Sequence, residues 1–292
     1  MHSIMRSGVL ITIATIAASG CAGPLDTSLE KLLRARSLSA DLLVQFATAA
    51  DAGNRAVMAA TDEGANAAAR EAHGALEAVR KDIEALDPVL GELRYSAERK
   101  LLSEFSTRLA EYRTLNDRIL GLAVENTNVK AQRLSFGSGQ EASVAFQEAL
   151  ERVRQSAPAE RRWQVEAIAA RAVAAVRGIQ VIQAPHIAEA DDAAMTAMEK
   201  RMAAAEGTAR AALVELAAIA SPGARPQVTA AVAALDRFLA VNAEIVVLSR
   251  RNSNVRSLAL SLGQKRVLAA QCEEALRALE DALAKRGLGG TR

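Results

Sequence analysis

Leu109 to Gly137 reads LAEYRTLNDRILGLAVENTNVKAQRLSFG, and Leu235 to Gly263 reads LDRFLAVNAEIVVLSRRNSNVRSLALSLG. The two stretches align without a gap at a constant offset of 126 residues. Asn116 matches Asn242, Ile119 matches Ile245, Asn126 matches Asn252, Asn128 matches Asn254 and Gly137 matches Gly263. An ungapped register of this length marks an internal repeat. Within each copy the apolar positions step by three and four: Tyr112, Leu115, Ile119, Leu122, and Phe238, Val241, Ile245, Leu248. That is the inward seam of a helix in a bundle.

Outward from the repeat, helix breakers are few. Asp87, Pro88, Gly91 and Ser96 form one cluster, Ser156 to Pro158 a second, and Ser221 to Gly223 with Pro226 a third. They divide the chain into four segments of roughly 60 residues, each ~90 Å long if straight. The expected fold is all-α: an elongated antiparallel four-helix bundle over 26–286. Two repeated long helical hairpins, about 26–156 and 157–286, would form it, with a flexible tail at 287–292. Composition agrees, because half of the residues are hydrophobic but only 3% are aromatic, as in Ala- and Leu-rich helices. The formal net charge is +2, and no basic stripe points to nucleic acid.

The N-terminus has the layout of an export signal over 1–20. Arg6 supplies positive charge, and Gly8 to Ala18 is uncharged and too short to span a bilayer comfortably. Ala18-Ser19-Gly20-Cys21 resembles the lipobox of bacterial lipoproteins, with Ala18 where that family usually has leucine. The resemblance implies lipidation at Cys21, a short tether over 21–25, and attachment to a membrane through the acyl chains, each buried CH₂ adding ~0.8 kcal/mol. Ala22 in place of Asp implies sorting to the outer membrane, facing the periplasm. No later stretch is apolar and long enough for a second span.

Asn126 and Asn252 interrupt the apolar seam, and Val129 and Val255 resume it. One reading makes them register pins, whose replacement by Leu would raise stability. The other makes them polar groups of a ligand pocket inside the bundle. Arg133 follows on the seam of the first copy, where the second has Ala259, and Arg250-Arg251 stand where they would reach an anion. Asn128 and Asn254 are expected to point away from the seam. Pro185 should kink its helix or start a new one. His186 continues an inward spacing through Ile168, Ala172, Ala175, Ile179 and Ile182, at about the level of Asn126, and reads either as a core histidine or as a ligand contact. The candidate ligand residues are therefore Asn126, Asn252, His186, Arg133 and Arg251.

A metal at His186, Glu189 and Asp192 lacks the paired Glu-x-x-His motifs of di-iron bundles. No nucleophile with a base, no carboxylate pair in a cleft and no phosphate loop is apparent, so neither enzyme nor cofactor is expected. Trp163 is expected to cap a bundle end by burial, and Cys272 to be a small core residue.

Ser249 to Arg256 with Gly263 to Arg266, and His186 to Ala190 followed by Met195, are similar to the four-helix-bundle sensor domains of bacterial methyl-accepting chemotaxis proteins. The resemblance implies an extracytoplasmic bundle that senses a small molecule or a protein partner, often as a homodimer. The chain departs from that family in having no second span, linker domain or methylated signalling hairpin, which implies a signal handed to a partner. The alternative is a structural envelope rod or coiled-coil adaptor with no small ligand.

Overall fold

The computed structural model describes residues 24–286; the stretch expected to be an export signal, Cys21 and residues 287–292 lie outside them. The described residues are almost entirely helical, with no strand. Helix α1 (Pro24–Val57) turns back at 58–61 into α2 (Asp62–Glu92). Helices α3 (Ser96–Glu125), α4 (Thr127–Leu134) and α5 (Gln140–Gln155) then run on, joined by Asn126 and by a π-like turn at Ser135–Gly139 that is kinked at Gly137 (φ −95°, ψ −105°). The second repeat retraces this path. α6 (Arg162–Ala188) and α7 (Asp192–Ile219) form a hairpin, and α8 (Arg225–Arg251), α9 (Ser253–Leu260), a second π turn (Ser261–Lys265) and α10 (Arg266–Lys285) complete it.

Two of the four expected long segments are thus each folded in half. The turns missing from the sequence reading are 58–61 and 189–191. Each is set by a helix start: Thr61 Oγ1 accepts from Gly64 N at 3.0 Å, and Asp191 Oδ1 accepts from Ala194 N at 2.6 Å. Pro185 lies inside α6 and begins no new helix; α6 ends three residues later. Pro88 likewise lies inside α2, and the chain turns at 93–95, where Arg94 is left-handed (φ 58°).

The four-helix packing is consequently local. α1, α2 and α3 pack with α10, whereas α5 packs with α6 and α8, and α7 with α6 and α8. Each repeat supplies its last helix to the other repeat's hairpin. The two long kinked helices, 96–155 and 225–285, run antiparallel through both groups, which stack end to end over roughly 90 Å. The spacing of the core residues explains the packing. Leu32, Ala35, Ser39, Leu42, Phe46 and Ala49 on α1, and Cys272, Leu276, Leu279 and Leu283 on α10, alternate steps of three and four and are all buried. Cys272 is the small core residue expected of it. Phe46 meets Phe105 and Tyr112 with ring centroids 6.1 and 5.0 Å apart. Trp163, expected to be buried, is 66% exposed.

Candidate functional site

The two repeats meet at a waist built from Asn126-Thr127-Asn128 and Asn252-Ser253-Asn254. Asn126 (φ 52°) and Asn252 (φ 54°) are left-handed, a conformation Asn tolerates better than most residues. Each ends one helix and lets another begin, so the first amides of α4 and α9 lack partners within their own helices. The opposite chain segment supplies those partners. Thr127 N donates to Ser253 Oγ and Ser253 N donates to Thr127 Oγ1, both at 3.0 Å. Asn128 N donates to Asn254 Oδ1 at 3.0 Å, and Asn254 N to Asn128 Oδ1 at 3.1 Å. Two helix starts therefore cap one another across a pseudo-twofold axis.

The remaining amide groups are also engaged. Asn254 Nδ2 donates to Asn126 Oδ1 and Asn128 Nδ2 to Asn252 Oδ1, each at 2.8 Å. Asn126 Nδ2 reaches Asp62 Oδ1 at 2.9 Å, holding that carboxyl below the ordinary range. Asn252 Nδ2 donates to Glu189 O at 2.7 Å, and Asn128 Nδ2 also reaches Ile187 O at 2.6 Å. The hairpin turns at 58–61 and 189–191 are thereby tied to the waist. Asn126 and Asn252 are buried, as the seam implied. Asn128, expected to point away, is buried as well, because the left-handed residue before it rotates the helix that follows. The same rotation carries Arg133 off the seam: it is exposed, and its Nη2 donates to Ala60 O at 2.6 Å.

His186 is fully buried. Its Nε2 lies 2.9 Å from Glu199 Oε1, and its Nδ1 has no partner. Arg250 clamps the same carboxylate through Nε at 2.6 Å and Nη2 at 3.0 Å, and this clamp is the main reason the Glu199 carboxyl lies below its ordinary value. Glu189 instead accepts from the amides of Ala190 and Asp191, and Asp192 accepts from Arg250, so the carboxylate beside His186 is Glu199.

Arg251 pairs with Glu125, Nε to Oε2 at 2.5 Å, on the rim of an open groove of about 570 Å³ beside the waist. α3 contributes Arg118, Gly121, Leu122 and Glu125 to the groove, and α9 contributes Arg256, Ala259 and Leu260. Gly121 leaves space, since nothing lies within 4 Å of where its Cβ would stand. Glu125 is held in its charged form chiefly by the bond from Arg251. Three guanidinium groups thus face one carboxylate, and Arg118 and Arg256 make no ion pair among the described residues. A larger depression between α5 and α6 is lined by two arginines and two glutamates: Arg154 pairs with Glu151 at 2.7 Å and with Glu166 at 3.9 Å, while Arg177 donates to the neutral Gln147 Oε1 at 2.9 Å.

Sequence reasoning brought out Arg251 but missed Arg118 and Arg256. Arg118 follows Asn116 by two residues inside the quoted repeat, where the second copy has Glu244, and that charge reversal between copies was the available signal. Comparison of the chain with protein-family models, curated proteins and solved structures finds no match.

Proposed function

We propose that the chain is a lipid-anchored, extracytoplasmic helical protein, related in plan to chemoreceptor sensor bundles, that binds a small organic anion without catalysis. The waist groove carries this reading. Arg118 and Arg256 offer guanidinium groups that make no ion pair among the described residues, and Leu122 and Leu260 offer an apolar wall, a combination suited to a carboxylate or phosphate on a small apolar body. Arg251 and Glu125 link the groove to the residues flanking Asn252 and Asn126, so a ligand there would act on the joint between the helical groups. Lipid attachment at Cys21 places the protein on the outer membrane facing the periplasm. Any signal then passes to a protein partner in the envelope, with a homodimer as the working assembly. No described helix is long and apolar enough to cross a membrane.

Titration calorimetry of the purified protein against a panel of carboxylates and phosphate esters is the test. One chemical class is expected to bind saturably, and R118A/R256A to weaken it at least tenfold with the fold unchanged. The second reading, a structural envelope rod, is favoured by the mutual satisfaction of the waist asparagines. An empty panel would support it, as would affinity indifferent to both arginines.

A further inference from the structure

Away from the waist groove, the first helical group buries a cation with no counter-ion. Lys265 is the last residue of the second π turn and is only 2% exposed. Its Nζ lies 3.3 Å from Asn54 Oδ1 and 5.9 Å from the centre of the Tyr112 ring, and no carboxylate pairs with it among the described residues. Burial pulls its ammonium down to about 8, which still leaves it mostly protonated at neutral pH. Two fully buried neighbours one turn apart on α3 are also unsatisfied: neither side-chain atom of Asn116 has a partner, nor does the Tyr112 hydroxyl. A buried charge of this kind is stable only when paired and hydrogen-bonded.

Gly53 makes the room for it. A Cβ there would stand 2.4 Å from Lys265 Nζ and 3.0 Å from Asn116 Oδ1. The second repeat is an internal control, because the matching layer has Gly139 for Lys265, Phe238 for Tyr112 and, counting from the helix starts at Thr61 and Asp191, Gln183 for Gly53. There Asn242 is satisfied by Gln183 Nε2 at 2.9 Å, and Gln183 Oε1 accepts from Ser135 Oγ at 2.7 Å. The charge is therefore specific to one half of the molecule and is not a by-product of the repeat.

We propose that the first helical group binds a small inorganic monoanion of halide size, held by the Lys265 ammonium with the Asn116 amide and the Tyr112 hydroxyl as further donors. Water would satisfy the amide and the hydroxyl but not the charge. The space that the missing Gly53 methyl leaves is taken by the Lys265 ammonium itself, so the buried donors are closely surrounded, which favours a single-atom ion over an organic acid.

The test is the melting temperature of the purified protein in sodium chloride against sodium gluconate at equal ionic strength. Because the ion binds only the folded state, chloride is expected to raise the wild-type midpoint by several degrees and to saturate. K265M is expected to melt at one temperature in both salts. G53A, whose new methyl displaces the ammonium, and Y112F, which loses one donor, should each need at least several-fold more chloride for half the effect. Equal wild-type midpoints in the two salts would overturn the proposal, and so would a chloride response retained in K265M. Should K265M fail to fold, unchanged half-saturation in both G53A and Y112F would overturn it equally.

Discussion

At the scale of single residues, the waist asparagines have two tasks that no apolar residue performs. They adopt φ near +53° at low strain, and their amides satisfy groups on the opposite segment. A left-handed conformation costs most residues about 1–2 kcal/mol, and each lost hydrogen bond about 1 kcal/mol. N126L/N252L loses four side-chain hydrogen bonds as well as the backbone tolerance and is therefore expected to lose roughly 6–8 kcal/mol in denaturant unfolding, while N126G/N252G recovers the backbone share. Raised stability in the leucine variant would restore the simple register-pin reading. A second prediction concerns Glu98, which is 2% exposed and bonded to Arg286 Nε at 2.7 Å and Nη2 at 3.0 Å. The guanidinium holds the Glu98 carboxyl below its ordinary value. Its stabilisation is therefore complete above about pH 4.3 and is lost as pH falls through the lower folded value. R286A should be destabilised at neutral pH and should lose less stability than wild type on acidification; parallel pH profiles would contradict this.

At the scale of elements, the repeat and its seam make the long helices legible in the sequence alone, and the breaks at 93–95, 156–158 and 220–224 fall where Pro, Gly and Ser cluster. The folds at 58–61 and 189–191 are not legible in that way, because they contain neither glycine nor proline. Their signals are Thr61 before Asp62 and Glu63, and Asp191 before Asp192, caps with acidic first turns that a seam-following reading passes over. The directions of Asn128 and Arg133 are misjudged for one reason. A single left-handed residue resets the helical phase, and a 3.6-residue count carried across Asn126 points to the wrong face. Lys265 has no signal in the apolar spacing because it ends a π turn, which shifts the helical phase in the same way and places it in the core.

At the scale of the whole molecule, each repeat lends its last helix to the other's hairpin, and the waist is where the two long helices cross-cap. Two four-helix groups are joined without a large central core: among the described residues the buried apolar cluster at the junction is Ala131, Ile187 and Ile245, with Leu134, Val241 and Leu248 half-buried against it. Polar bonds carry that junction. It also places the arginine groove beside the most finely bonded part of the molecule, where a bound anion has most leverage on both halves.

The mutual capping is open to direct measurement by native-state hydrogen exchange of the amides of Thr127, Asn128, Ser253 and Asn254. First-turn amides of an ordinary helix exchange freely, as those of Asp192 and Ala193 at the start of α7 should. The four waist amides are expected to be protected almost to the level of global unfolding, and Asn254→Ala to release the Asn128 amide while leaving that of Thr127 protected. Exchange at the four positions as fast as at Asp192 and Ala193 would contradict mutual capping.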